Sequence, residues 1–352
     1  MADPVNVFDW EAAALAALEP TLAGYLAGGA GDERALTGNR AAFERIRLVP
    51  RMLAGLASSD LATTVLGTPV SMPVLVAPVG HQGHLHRDGD IATARASAAA
   101  GTVMVVSTMA NASVEAIAAA APGARRWFQL YARRDLGRRR EIVQRAEAAG
   151  YLAIVLTVDL VSLGRREREM RGGFRLAESI ELPNLHSADE ASRTLEETTS
   201  LLDPALSWAD VEQLRSWTSL PVLVKGVLHP RDAELAVEHG CAAVIVSNHG
   251  GRQLDGAIAP IDALPRIAEV VGDRLELYVD SGVRRGVDVV AALALGARAV
   301  LVGRAPIYGL VAGGEEGVRA VLETLRAELE NALHLCGVAS VTDVPRDLVV
   351  SA

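Results

Sequence analysis

The stretch 276-ELYVDSGVRRGVDVVAALALGARAVLVGR-304 decides the fold. It opens with an apolar run, 276-ELYVDSG-282, that ends in polar residues and glycine. A segment with apolar residues three and four apart follows, 286-GVDVVAALALG-296, closing on a glycine suited to a helix C-terminus. A second apolar run, 299-AVLVGR-304, completes a strand–helix–strand unit. Apolar runs without alternation mark strands buried on both faces, as in a parallel sheet wrapped by helices.

The same rhythm starts near residue 73. Six further runs precede the opening stretch: 73-PVLVAPVG-80, 102-TVMVVST-108, 126-RWFQLY-131, 152-LAIVLTVD-159, 221-PVLVKGV-227 and 242-AAVIVSNHG-250. Eight strands, each followed by a helical segment, predict an α/β fold of the TIM (β/α)8 barrel type over roughly residues 60–325. A doubly wound sheet is the rival, and it calls for a glycine fingerprint after its first strand. The glycines of 28-GGAGDE-33 instead follow a helical pattern, 10-WEAAALAALEPTLAGYL-26, and read as a helix stop and turn. The whole chain, 1–352, is thus expected to be one barrel domain. Residues 1–59 form a helical N-terminal extension covering one end. Between the fourth and fifth strands, the polar segment 172–207 is an insertion at the C-terminal face, where a lid over an active site belongs. An ordinary surface loop is the alternative there.

Composition agrees. Half of the 352 residues are hydrophobic but only 4% are aromatic, so the core must be mostly Ala, Val, Leu and Ile. A formal charge of −9 argues against a nucleic-acid partner. Cys241 and Cys336 have no CxxC partner, which points away from disulfides and zinc and toward a reducing cytoplasm. The N-terminus lacks a signal-peptide pattern, and no apolar run reaches the ~20 residues of a membrane helix. The histidines of 81-HQGHLH-86 match no metal-ligand spacing, and no metal is expected.

In such a barrel, function collects where strands end. Those ends carry Val79 and Gly80, Ser107, Gln129 and Tyr131, Thr157 and Asp159, Lys225, Ser247 with His249 and Arg252, Asp280 with Gly282 and Arg284, and Gly303 with Arg304. The loops after strands seven and eight pair glycine with arginine, a combination that cradles phosphate. A phosphate there belongs to a substrate or to a cofactor. Lys225 can form a Schiff base if its pKa is lowered, or stay charged and stabilise an anion. His249 can take a proton, and Arg252 can hold a carboxylate, with Gly250 and Gly251 bending the chain between them. Asp159 is placed to hold the imidazole. Arg166 is either a second carboxylate clamp or a solvated charge. A Schiff-base aldolase and a non-catalytic flavin-binding barrel are the competing functions.

SNHGGRQLDG (247–256), LVKGV, TVD followed by GRRE, FQLY, and DSGVRRG followed by LVGR stand in a specific order. From about Tyr25 to the C-terminus, the chain resembles the FMN-dependent α-hydroxy-acid oxidising enzymes. Within them, the likeness is nearest to hydroxymandelate-oxidising members of antibiotic biosynthesis. The resemblance implies a cytoplasmic homotetramer that binds FMN and oxidises an (S)-2-hydroxy acid to the 2-oxo acid. Oxygen is the implied acceptor, with dehydrogenase or monooxygenase chemistry as the alternative. It implies that His249 is the base and Asp159 its partner. Arg166 and Arg252 become carboxylate grips, and Tyr25 and Tyr131 hydroxyl donors. Lys225 stabilises charge on the reduced ring, while Val79, Gly80, Ser107, Gln129 and Thr157 meet the isoalloxazine. Asp280, Gly282, Arg284, Gly303 and Arg304 hold the ribityl phosphate. Two positions depart from common members: Met109 stands where glycolate oxidases carry tryptophan, and Gly80 where several oxidases carry alanine. Met109 leaves more room and predicts an aryl substrate.

Overall fold

The computed structural model describes residues 4–177, 180–185, 190 and 194–351. Eight parallel strands close into a barrel: β1 (Val74–Val76), β2 (Val103–Ser107), β3 (Arg125–Leu130), β4 (Ile154–Thr157), β5 (Val222–Val227), β6 (Ala243–Val246), β7 (Glu276–Val279) and β8 (Ala299–Val302). Closure is made by β8 on β1, with Val300 opposite Val74 and Val302 opposite Val76. Seven strands lie within their predicted runs, and β3 starts one residue before its run, at Arg125.

Successive strand residues point to opposite faces, and both faces are buried, so no polar alternation is needed. One set fills the barrel interior, including Leu75, Val105, Val155, Leu223 and Ile245. There Trp127 and Tyr278 meet edge to face, with ring centroids 5.5 Å apart. The other set, including Val74, Val106, Leu156 and Val244, packs outward against the helices.

A two-stranded ladder, Thr63–Val65 with Thr68–Val70, packs Val65 and Val70 against the interior cluster. Leu66 N donates to Glu276 Oε2, at the start of β7, which places this ladder at the N-terminal end of the barrel. That leaves the opposite end, where the polar residues collect, open for a site.

The N-terminal extension is helical, and the pattern over 10–26 is carried by two helices, Val7–Ala17 and Pro20–Ala27. Pro20 has no N–H to continue the first helix and its fixed φ suits the first turn of a new one. The second helix stops at Gly28, as expected for 28-GGAGDE-33. A third helix, Arg34–Glu44, follows, and Ile46–Leu48 pairs antiparallel with Val349–Ser351, tying the two ends of the chain together.

The insertion after β4 is more built than its polarity predicts. Phe174, Leu176, Leu182 and Leu185 are buried, and a short helix, Leu195–Ser200, starts at a Thr194–Glu197 capping box. Residues 178–179, 186–189 and 191–193 of the expected lid lie outside the described residues. Among the described residues, no helix is long and apolar enough to cross a membrane.

Candidate active site

The mouth of the barrel is an open cleft. Its walls carry Tyr25 and Leu26 from the extension, the ends or following loops of all eight strands, and Leu195, Thr198 and Thr199 from the insertion.

His249 sits in the left-handed region at φ 59°, followed by Gly250 at 66° and Gly251 at 75°. Three such residues in succession turn the chain sharply at the end of β6 and aim the imidazole into the cleft. Gly251 is sterically required. A Cβ there would lie 2.5 Å from Leu36 N, because the third N-terminal helix packs against this turn. Holding histidine in this conformation costs free energy that a core residue has no reason to bear.

The imidazole is held from both sides. Nδ1 lies 2.9 Å from Asp159 Oδ1 and Nε2 lies 3.2 Å from the Tyr131 hydroxyl. Burial pushes the His249 pKa below its ordinary value, and Lys225 and Arg166 add to the effect while Asp159 opposes it. Burial works to raise Asp159, but His249 and Lys225 outweigh it and keep the carboxyl below its ordinary range. The result is a neutral imidazole beside an ionised carboxylate: a base with its counter-charge already in place. Gly226, at φ 112°, makes room for that carboxylate, since a Cβ there would lie 2.7 Å from Asp159 Cβ. Burial and Asp159 also raise the Tyr131 pKa, so the phenol stays a proton-bearing hydrogen-bond donor.

Beside this group stands an arginine pair, Arg166 buried and Arg252 largely so. Arg252 donates to Tyr25 O at 2.7 Å and Gly28 O at 3.0 Å, and lies 5.0 Å over the Tyr25 ring. Arg166 donates to Arg252 O at 3.1 Å and to Gln253 Oε1 at 3.2 Å. Burial and the neighbouring Arg252 bring Arg166 down to about 10, so it still carries its charge at neutral pH. Glu169 sits between them, 2.6 Å from Arg252 and 3.8 Å from Arg166. Two cations and one anion leave a net positive site facing the imidazole, suited to one carboxylate. Tyr25 donates to Gly80 O at 3.1 Å and stacks on Phe174, with centroids 4.5 Å apart.

The far side of the cleft suits a phosphorylated ring system. Lys225 Nζ donates to Ser247 Oγ at 2.9 Å and lies 3.1 Å from Asp280 Oδ2. Burial works to lower the ammonium's pKa, but Asp280 and Asp159 outweigh it and raise the pKa above its ordinary value. Gly282, at φ 95°, has Asn39 O 2.5 Å from where a Cβ would stand. Arg40 donates to Gly282 O at 2.7 Å and pairs with Asp288, whose carboxylate also receives the N–H groups of Arg284 and Arg285. The loop after β7 is therefore rigidly framed. Arg284 lies over the Tyr308 ring and donates to Val283 O, leaving guanidinium N–H groups for an anion. This combination of cation, framed glycine loop and long cleft fits a flavin mononucleotide.

The profile of the FMN-dependent dehydrogenase family matches residues 14–351. The chain belongs to that family. An L-lactate oxidase of Nostoc sp. is 45% identical, covering 98% of this chain and 97% of its own. A 2-hydroxyacid oxidase of Mus musculus is 44% identical, over 98% of this chain and 96% of its own. Among solved structures, a mandelate oxidase variant with (S)-mandelic acid superposes with a TM-score of 0.91 at 42% identity, covering 99% of this chain and 98% of that one. FMN is the cofactor of this family, and the chain is an FMN-dependent oxidoreductase.

Most of the residues singled out in the sequence meet in this one cleft: Tyr25, Val79, Gly80, Ser107, Met109, Tyr131, Arg166, Lys225, His249, Arg252, Asp280, Gly282, Arg284, Gly303 and Arg304. Asp159 stands behind His249. Gln129 and Thr157 lie beneath the floor. Gln129 accepts from Ser107 Oγ at 3.2 Å and donates to Thr157 at 3.0 Å, making one chain across β2, β3 and β4. Arg304, expected at the phosphate, donates to Leu26 O, Gly28 O and Gly250 O, so it also clamps the extension onto the mouth. The Schiff-base alternative loses its nucleophile, because Lys225 is held as an ammonium and a neutral amine is required. The three clustered histidines have separate tasks. His81 lines the cleft, His84 Nε2 accepts from Ala177 N at 3.0 Å, and His86 Nδ1 accepts from Asp88 N at 3.2 Å.

The sequence analysis does not single out Glu169, although it lies three residues after Arg166, in 164-GRRERE-169. That i, i+3 spacing at a helix start was the available signal. Phe174, Leu195, Thr198 and Thr199 carried none, because a polar insertion has no periodicity to say which side chains face inward.

Proposed function

We propose that this protein oxidises an (S)-2-hydroxy acid with an aryl side chain, such as mandelate or 4-hydroxymandelate, to the 2-oxo acid. Molecular oxygen is the acceptor and becomes hydrogen peroxide. The Asp159–His249–Tyr131 arrangement beside the Arg166–Arg252 pair carries this reading, since it combines a neutral base with a charge-matched carboxylate grip.

In this reading, Arg166 and Arg252 fix the substrate carboxylate, and Tyr25 and Tyr131 donate hydrogen bonds to it and to the hydroxyl. Glu169 bridges the arginines and offsets their mutual repulsion, leaving one net positive charge. His249 removes a proton from the hydroxyl or the α-carbon, and Asp159 stabilises the imidazolium that results. Lys225, Val79, Gly80 and Ser107, with Gln129 and Thr157 behind Ser107, would hold the ring of FMN. Asp280, Gly282, Arg284, Gly303 and Arg304 would hold its ribityl-phosphate end. The bound cofactor supplies the two-electron acceptor.

Support for an aryl side chain comes from Met109. It lines the cleft as a flexible thioether, and mandelate oxidases superpose over nearly the whole chain. Support for oxygen comes from the relatives, which are oxidases. In the same reading the chain is a homotetramer, and apolar Met52, Leu53 and Leu335 stand exposed near its C-terminal helix, available to a neighbouring subunit.

Anaerobic bleaching of the yellow holoenzyme by glycolate, lactate, mandelate and 4-hydroxymandelate tests the assignment, followed by admission of air and assay of peroxide. Faster bleaching by the mandelates is the expected result. Faster bleaching by glycolate or lactate overturns the aryl assignment, and slow reoxidation in air overturns oxygen as acceptor.

A further inference from the structure

Met109 sits on a short loop between β2 and the helix Val114–Ala120, and this loop is tied to its surroundings with unusual completeness. Asn111 uses both ends of its side chain. Its Oδ1 accepts from Gly83 N at 2.8 Å, and its Nδ2 donates to Glu181 O at 3.0 Å. Its backbone N–H donates to Asp90 Oδ2 at 2.9 Å. From the other side, Asn184 Oδ1 accepts from Val114 N at 2.9 Å and Nδ2 donates to Ala112 O at 2.9 Å. Asn184 is 4% exposed and lies between buried Leu182 and Leu185. Three hydrogen bonds therefore join the Met109 loop to the insertion after β4, and each crosses about seventy residues of sequence. The approach is close as well, since a Cβ at Gly83 would lie 3.0 Å from Asn111 Cβ.

We propose that Asn111 and Asn184 are positioning residues that lock the Met109 loop and the insertion into one wall against the substrate's side chain. The Asn184 amide is buried with both ends bonded, and such a group specifies one geometry, because any displacement leaves it desolvated and unpaired. Neither asparagine lines the cleft, so each acts through Met109 and the insertion. Their loss spares the carboxylate and hydroxyl ends of the substrate, which rest on other elements. The inference depends on Met109 facing the substrate's side chain.

Steady-state KM and kcat of the holoenzymes Asn184→Ala and Asn111→Ala, with mandelate and with glycolate, test it. Asn111→Ala serves if Asn184→Ala fails to fold. With mandelate, KM is expected to rise about tenfold while kcat changes little, the size of effect a side-chain pocket controls. Glycolate, which has no side chain to reach this wall, is expected to keep both constants. An equal change for both acids, or a lowered Tm with unchanged constants, reduces the asparagines to structural residues and overturns the inference. Met109→Ala separates the two levels. If it shifts the mandelate-to-glycolate ratio while the asparagine variants do not, the inference alone falls. If Met109→Ala leaves that ratio unmoved, the assignment of the pocket falls and takes the inference with it.

Discussion

Asp159→Asn probes the electrostatics of the base with the least disturbance of shape. The carboxylate lies 2.9 Å from His249 Nδ1, is largely buried, and does not line the cleft. When His249 accepts a proton, a new positive charge appears with its centre roughly 4 Å from the carboxylate, worth about 4 kcal/mol at an effective dielectric near 20. Asparagine keeps a hydrogen-bond acceptor but supplies almost none of that attraction. If the proton is largely transferred in the transition state, kcat falls by up to about a thousandfold. KM stays within a few fold, because the carboxylate grip is untouched. The pH profile gives an independent check. Asp159 raises the His249 pKa, so its removal lets burial, Lys225 and Arg166 depress it further. A base is active when neutral, so the acidic limb of the kcat/KM profile moves to lower pH in the variant. Anaerobic flavin reduction with mandelate across the neutral range, wild type against variant, measures both effects. Unaltered reduction rates, or an acidic limb that moves to higher pH, would refute the role of the carboxylate.

Further consequences follow from contacts elsewhere in the cleft. Glu169→Gln removes the anion between two largely buried guanidinium groups and is expected to cost about 3–5 kcal/mol of stability, the range for breaking a buried pair. A bound 2-hydroxy acid brings a carboxylate back, so it should raise Tm more in this variant than in wild type; equal shifts would show that substrate does not reach the pair. Gly80→Ala places a Cβ 2.6 Å from Met109 Cβ, an overpacking expected to cost about 1–3 kcal/mol in thermal or denaturant unfolding. Asp90 is pushed up to about 7 by burial, against the N–H bonds of the Asn111–Ala112 loop. A carboxyl raised on folding contributes stability that is complete below its unfolded value near 4 and is lost as pH climbs to about 7. The stability of Asp90→Asn relative to wild type is therefore expected to improve from pH 4 to pH 7 and level off above; a flat difference would place the Asp90 titration elsewhere.

The eight strands, the helix ends at glycine and the turn around His249 were legible because they rest on local rules. Burial on both faces leaves an unbroken apolar run, and a left-handed turn calls for Gly250 and Gly251. The break at Pro20 is equally local, since proline has no N–H to continue a helix. The chemistry of His249, Arg252 and Lys225 could be anticipated because charged and titratable groups at strand ends have few structural reasons to be there.

The barrel and the groups gathered at its mouth can be read from local patterns along the chain. Which of those groups touch is settled by folding. Glu169 meets Arg252 across 83 residues, Arg304 clamps Leu26 and Gly28 from the other end of the chain, and Asn184 holds the Met109 loop from within the insertion. Such contacts leave no periodic trace, because hydrogen bonds and ion pairs depend on distances that chain closure sets. The same closure decided the charge state of Lys225, whose strand was readable but whose Asp280 partner came from two strands further round the barrel.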